Sequence, residues 1–371
     1  MIFTACLIAV SCAFPEAAAY DGECSAKAAV VYQPDTGELL YERCPDEKSL
    51  IASTTKILTA LVVLESCRVD DMVPIKPEYT GVEGSSMYLK AGERFTVKEL
   101  LYGLMLVSGN DAAHALAVFA AGSDEAFAEL MNAKADELGC TGSHFANPHG
   151  LDDENHYSTA RDLAKIMAAA MDNPDFAEIT GTKSVALAGR TMVNHNKLLW
   201  SCAGVMGGKT GYTQSAGRTL VSCCERDGMR LICVTISDRD DWADHAALYD
   251  WAYGEYCLLK GGGSYEIPVI SGERETAYAS AENRAVLARK NDGWRLETQL
   301  PRFVYAPVNE GQTAGQAVYK SDSGDTVSFT IRYDDTVPLD KSVPLTIWEQ
   351  IKWSWYYYNA HSSYVPRLYI S

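Results

Sequence analysis

A chain of 371 residues has room for one large domain and a smaller one, and 47% apolar residues can build a sizeable core. The formal net charge of −17 excludes a broad electrostatic grip on nucleic acid or on an anionic lipid surface. A substrate carrying a carboxylate would therefore need a cation placed for it locally.

Residues 1–19 read as an export signal. An apolar, uncharged run over 2–14 is followed by the small residues Ala17, Ala18 and Ala19, suited to cleavage before Tyr20. The run is too short for a membrane span, and Ala9-Val10-Ser11 before Cys12 is a poor lipoprotein match. No Lys or Arg precedes the run, which a start further upstream would supply. Removing 1–19 takes Cys6 and Cys12 from the eleven cysteines and leaves nine, an odd number that cannot all pair within one chain. Cys24 and Cys44 flank a hairpin and are candidates for a bridge, whereas Cys223, Cys224 and Cys233 sit in apolar strand-like runs that suit reduced core thiols. There is no C-x-x-C pair, which disfavours a zinc ribbon or a redox motif.

The elements follow in order. A hairpin spans 28–42, turning at Pro34-Asp35-Thr36-Gly37. Ser53-Thr54-Thr55-Lys56 opens an apolar run of helical length, ILTALVVLE. Helices over 97–106 and 111–120 are separated by Ser108-Gly109-Asn110. Ser123 begins another amphipathic helix, with Phe127, Leu130, Met131 and Leu138 at helical spacing. After a polar loop, 159–170 is helical again, 203–237 gives strand, turn and strand, and a last helix runs over 243–256. The glycine-rich run 259–264 reads as a linker to a small all-β domain. The expected domains are thus 20–259, 265–345 and an aromatic tail, 346–371.

Three short motifs could carry chemistry. In Ser53-x-x-Lys56, a serine at a helix start faces unpaired backbone N–H groups that can stabilise an oxyanion. The lysine three residues on stands over the same face. If buried it becomes a neutral amine able to take the serine proton. Ser108-Gly109-Asn110 can press a hydroxyl and an amide into a cleft between its helices, one to relay a proton and one to hold a substrate amide. In Lys209-Thr210-Gly211, glycine lets a ligand approach the strand closely, and lysine and threonine suit a terminal carboxylate. Strand alternation puts Lys209 and Thr210 on opposite faces, so twist must bring both to it.

The order S-x-x-K, S-x-N, K-T-G matches the motif set of penicillin-interacting serine enzymes. The chain resembles the low-molecular-mass penicillin-binding D-alanyl-D-alanine carboxypeptidases of serine peptidase family S11. The likeness extends over PDTGELLYE, LLYGLMLVSGNDAAHALA, HFANPHGLDDENHYSTARDLAKI, NHNKLLW and GGKTGYTQSAGRTLV, from about residue 28 to 256, and reappears in APVNEGQTAG.

The resemblance implies a β-lactamase/transpeptidase-like α/β domain: an antiparallel sheet with helices on both sides plus a helical subdomain, then a small β-sandwich-like domain. It implies Ser53 as acyl-enzyme nucleophile and Lys56 as general base, with Ser108 and Asn110 assisting proton transfer and orientation. Lys209 and Thr210, beside Gly211, would bind the substrate's terminal carboxylate, and the backbone N–H groups of Ser53 and Tyr212 would form the oxyanion hole. The substrate would be a peptidoglycan stem peptide ending in D-Ala-D-Ala, with β-lactams as inhibitors and no cofactor. A β-lactamase, a D,D-endopeptidase and a non-catalytic wall scaffold are the alternatives. Glu129 lies in a stretch that lacks the ending of the class A β-lactamase glutamate motif, and the five intact polar site residues argue against a scaffold.

His144, His149, Asp152 and His156 share one loop but match no metal-ligand spacing, so no metal is expected. In the tail, Trp348, Ile351 and Trp355 suit one helical face that could touch a membrane surface, although Lys352 and Arg367 are its only cations, and packing onto protein is an equal reading.

Overall fold

The computed structural model describes residues 20–340. The leader over 1–19 and the aromatic tail over 346–371 lie outside the described residues. Two compact units divide at Gly254–Glu255.

In the larger unit, strands β1 (Ala28–Gln33) and β2 (Glu38–Arg43) form the expected hairpin. Gly37 turns it at φ +76°, a left-handed conformation that suits glycine, and its N–H closes onto Gln33 O. A 3₁₀ turn, Ala52–Thr55, leads into α1 (Lys56–Ser66). Residues 56–63 are buried on every side, as an apolar helix at the centre of a core must be. The short strands β3 (Met72–Pro74) and β4 (Arg94–Thr96) pair before α2 (Val97–Leu106). Thr96 and Glu99 cap α2 reciprocally, Thr96 Oγ1 accepting from Glu99 N while Glu99 accepts from Thr96 N. Helix α3 (Asn110–Ala121) ends at left-handed Gly122, and Ser123 caps α4 (Asp124–Glu137). Phe127 and Met131 of α4 are buried as expected, but Leu130 is exposed, because the buried stripe runs through Phe127, Ala128, Met131 and Ala135 and Leu130 falls outside its edge.

Helices α5 (Ala160–Met171) and α6 (Pro174–Gly181) follow, then the hairpin β5 (Ser184–Leu187) and β6 (Arg190–Val193), and the short α7 (Leu198–Ser201). Strands β7 (Val205–Thr213), β8 (Gly217–Arg226) and β9 (Met229–Asp238) complete an antiparallel sheet in the order β2-β1-β9-β8-β7. Strand alternation gives the sheet two different faces. Val221 and Cys223 join the core shared with α1 and α5. Between them, Ser222 turns to α8 (Asp241–Glu255), where its hydroxyl bonds His245 Nδ1 at 2.7 Å and Tyr249 OH at 2.8 Å. Helices therefore cover both faces, as expected. Strand β7 is an edge, and α6 covers its first half, where Thr180 Oγ1 both donates to Gly208 O and accepts from Gly208 N. Its second half is left beside the Ser53 turn.

Cys24 is buried, Cys44 is exposed, and both thiols are free, so their flanking of the hairpin does not bridge them. Cys223, Cys224 and Cys233 are buried free thiols.

The smaller unit is all-β. Strand β10 (Tyr256–Lys260) pairs with β13 (Ala285–Arg289). A second sheet joins β11 (Ser264–Ile270), β12 (Thr276–Ala281), β14 (Arg295–Gln299), β15 (Val304–Tyr305), β16 (Thr313–Lys320) and β17 (Thr326–Tyr333) in the order β14-β16-β17-β12-β11-β15. Phe329, Ile331, Ile267 and Ala279 centre its core. The run read as a linker belongs to this unit: Leu259 is in the same core, and a Cβ on Gly261 would lie 2.5 Å from the Phe329 side chain. Close packing, rather than flexibility, is what glycine supplies there.

Candidate active site

Ser53 sits in the turn that starts α1, and Lys56 one helical turn on is fully buried. Lys56 Nζ lies 3.0 Å from Ser53 Oγ, 2.7 Å from Asn110 Oδ1 and 2.5 Å from His149 O. Burial holds its pKa well below the ordinary lysine value, Lys209 nearby pushes the same way, and Asp111 opposes both. A neutral amine has two N–H bonds and one lone pair. Asn110 Oδ1 and His149 O can only accept, so they take the two N–H bonds, and the lone pair is left for the Ser53 hydroxyl. The geometry thus fits a base aimed at one nucleophile.

The loop carrying the histidines buttresses this turn. Gly150, at φ +85°, comes so near that a Cβ would stand 2.0 Å from Ala52 O. His156 Nδ1 accepts from Ala146 N at 3.1 Å, which puts the proton on Nε2, 2.7 Å from Thr55 Oγ1. Thr55 in turn donates to Ala52 O. His149 and His156 are both lowered to about 4, chiefly by burial, and stay neutral. His144 bonds Asn155 O, and Asp152 accepts from Thr213. Among the described residues no group of three His, Cys, Asp or Glu could hold a metal ion.

Ser108 stands between α2 and α3 at φ +61°, and Ala52 beside the nucleophile at φ +48°. Non-glycine residues in this region cost roughly 1–3 kcal/mol each and persist where the surroundings over-determine them. The Ser108 hydroxyl is buried without a partner among the described residues. Asn110, first in α3, donates Nδ2 to Glu83 O at 2.6 Å, which fixes the direction of its Oδ1 toward Lys56. Asp111 accepts from Met87 N, Leu89 N and Ser86 Oγ, and so ties the 85–89 segment to the helix start.

These elements enclose a cavity of about 540 Å³. Ser53, Ser108, Thr210, Gly211 and Tyr212 line it. Lys56, Asn110 and Lys209 stand behind its wall, at most 4% exposed. A Cβ on Gly211 would lie 3.1 Å from Ser53 N and 3.0 Å from Ile51 O, so glycine is what lets β7 pass the Ser53 turn this closely. Lys209 faces inward: its Nζ donates to Thr210 O at 2.8 Å, and burial lowers it to about 7. The strand's alternation separates it from Thr210, whose side chain faces the cavity.

Two cations do line the cavity, Lys197 and Arg218, the latter opposite Tyr212 in the β7–β8 register. The Arg218 guanidinium pairs with the buried carboxylate of Asp241 and lies over the Trp242 ring at 5.8 Å. Sequence reasoning missed Arg218, although counting back across the tight Thr213–Gly217 turn places it beside the K-T-G strand. Ser85, His195 and Lys197 also reach the cavity and had no separate signal.

The family model for D-alanyl-D-alanine carboxypeptidases of the S11 peptidases matches residues 15–240. The chain is 33% identical to D-alanyl-D-alanine carboxypeptidase DacF of Bacillus subtilis over 318 residues, which cover 80% of this chain and 82% of that one. It is 36% identical to DacA of Escherichia coli, covering 80% of each. Penicillin binding protein 5 from Haemophilus influenzae superposes with a TM-score of 0.67 at 29% identity, covering 86% of this chain and 100% of that one. Family match, relatives and fold agree, and the chain belongs to the D-alanyl-D-alanine carboxypeptidases of peptidase family S11.

Proposed function

We propose that Ser53 is the nucleophile, and Lys56 its general base, with which this D-alanyl-D-alanine carboxypeptidase removes the terminal D-alanine of peptidoglycan stem peptides. The observation that carries the assignment is the buried Lys56 amine, 3.0 Å from Ser53 Oγ with two acceptor oxygens occupying its N–H bonds. Ser53 Oγ attacks the carbonyl of the penultimate D-alanine as its proton passes to Lys56. The oxyanion is held by the N–H groups of Ser53 and Tyr212. Lys56 then returns the proton to the departing amine, and the unpartnered Ser108 hydroxyl, which lines the same cavity, relays it. Free D-alanine leaves, and water hydrolyses the Ser53 ester. β-Lactams acylate the same oxygen. No cofactor is required.

Among the groups lining the cavity, Thr210 and Arg218 take the terminal carboxylate. Lys209 acts from behind the strand, as the like charge that helps keep Lys56 neutral. A peptidoglycan substrate implies work in the cell envelope, for which the 1–19 leader would supply export. Among the described residues no helix is long and apolar enough to cross a membrane.

The test is D-alanine release from a diacyl-Lys-D-Ala-D-Ala peptide by the full chain and by Ser53→Ala, alongside mass spectrometry after exposure to benzylpenicillin. Wild type releases D-alanine and gains one penicilloyl group on the peptide carrying Ser53. The variant does neither while keeping its circular dichroism spectrum. Release that survives in Ser53→Ala overturns the assignment.

A further inference from the structure

Two free thiols lie away from the cavity, where α7 ends and β7 begins. Cys202 closes α7 and is partly exposed, while Cys224 of β8 is fully buried. Both turn to one carbonyl oxygen, that of Ala203, at 4.0 Å from Cys202 Sγ and 3.5 Å from Cys224 Sγ. Gly204, at φ +84°, brings the chain over β8 so closely that a Cβ there would stand 3.1 Å from Cys224 Sγ.

The guanidinium of Arg226 is fixed beside them. Its Nη2 donates to Cys202 Sγ at 3.4 Å, its Nε to Ala203 O at 2.9 Å and its Nη1 to Asp250 Oδ1 at 2.7 Å. A cation held against a partly exposed sulfur favours the thiolate, which is the nucleophilic form. The bond from Cys224 and the charge of Arg226 together lower Cys202 to about 7, against the opposing effect of burial. Cys224 is pushed up by that same bond and by burial. One sulfur is partly exposed and activated, and the other is sheltered against the same carbonyl oxygen.

We propose that Cys202 and Cys224 are a redox-active pair that closes to a disulfide by exchange with a small-molecule disulfide. The Cys202 thiolate attacks one sulfur of the external disulfide, forming a mixed disulfide and expelling one thiolate, which takes a proton from solvent. Cys224 then gives up its proton, attacks Cys202 Sγ, and expels the second thiolate. Two protein thiols are oxidised to one disulfide, and the external disulfide is reduced to two thiols. The bond fixes the turn between Lys197 of the cavity wall and the strand that carries Lys209, Thr210 and Gly211.

The experiment exposes the reduced full chain to oxidised glutathione at pH 7.5, quenches with acid and maps linked peptides by mass spectrometry. A Cys202–Cys224 link is expected before appreciable modification of exposed Cys44. Cys224→Ser should stop at a stable glutathione adduct on Cys202, and Cys202→Ser should leave Cys224 unmodified. Arg226→Gln should slow the first step by about threefold, the effect at pH 7.5 of raising a pKa of about 7 by roughly one unit on the thiolate fraction. Cys202 left unmodified while Cys44 reacts, or Cys224 linking to Cys223 instead, overturns the proposal. Cys224→Ser keeps the Arg226 contacts intact, so its trapped adduct decides the matter even if Arg226→Gln folds poorly.

Discussion

Two lysines sit within the same wall of the cavity, and what separates their uses is where each ammonium can reach. Lys56 touches Ser53 Oγ, and Lys209 is spent on the carbonyl of its own neighbour. Neither faces the cavity, which leaves Arg218 as the guanidinium available to an arriving carboxylate. Asp241 holds that guanidinium, and Trp242 lies under it, so it is oriented before substrate binds. A bidentate arginine–carboxylate contact is strong and directional, but Arg218 is 45% exposed in its side chain and water screens part of it. Arg218→Gln should therefore raise KM for the D-Ala-D-Ala peptide by about tenfold with kcat changed little, the pattern of a lost uniform binding interaction. Steady-state kinetics on the same peptide with a terminal carboxamide supplies the comparison. Wild type and variant should handle the amide alike. An unchanged KM for the free acid would return the carboxylate to Lys209.

At the scale of elements, the Ser53 turn is shaped by the loop packed on it. Gly150 carries two constraints at once, a left-handed φ and a Cβ position only 2.0 Å from Ala52 O. Gly37 in the first hairpin carries one, with φ +76° and open space around its Cβ. Gly37→Ala should cost about 1 kcal/mol, the conformational term alone. Gly150→Ala should cost about 3 kcal/mol, since backbone must move, and should lower kcat by displacing Ser53. Urea denaturation and D-alanine release check both. Equal costs at the two sites would mean the loop yields without strain. Much of this architecture was legible beforehand because it is periodic: the hairpin over 28–42, the apolar run after Ser53 and the two helices around Ser108-Gly109-Asn110 all carry their spacing in the residues themselves. The three motifs also met in one place. Depth was not legible. Nothing in Lys209-Thr210-Gly211 says that the lysine lies behind the strand, because that depends on the edge position of β7 and on what packs under it. Arg218 was hidden for a related reason, its place depending on the register across a turn. The glycines at 261–263 read as flexible, yet Gly261 is required by a ring contributed from Phe329.

For the whole molecule, the buried histidines set an acid limit on stability. His149 and His156 are lowered to about 4 and His245 to about 3, each chiefly by burial. His245, on α8, bonds Ser222 and Thr235 of the sheet, and His149 and His156 lie under the Ser53 turn, so the effect is spread over both faces of the sheet. In the unfolded chain each titrates near about 6.5. Between that value and the folded pKa, the unfolded state binds protons that the folded state refuses, so stability rises with pH there. The three contributions are fully present above about pH 6.5 and are lost progressively as pH falls toward about 4. His114 works in the opposite direction, because its bond to Asp124 raises its pKa and favours the folded state below about 6.5. Three groups against one leave a net loss on the order of a few kcal/mol on going from pH 7 to pH 4.5. Relief of the repulsion within a chain of net charge −17 offsets part of this loss, since roughly a quarter of the carboxylates take up protons by pH 4.5. Denaturant midpoints measured at pH 7 and pH 4.5 should differ accordingly, and His245→Gln, which keeps polar atoms near Ser222 and Thr235, should narrow the difference by about a third. Identical midpoints at the two pH values would show that these histidines are protonated as easily in the folded protein as in the unfolded one. The same burial that keeps the histidines neutral keeps Lys56 neutral, so a fold that loosens in acid should lose its acylation rate over the same interval.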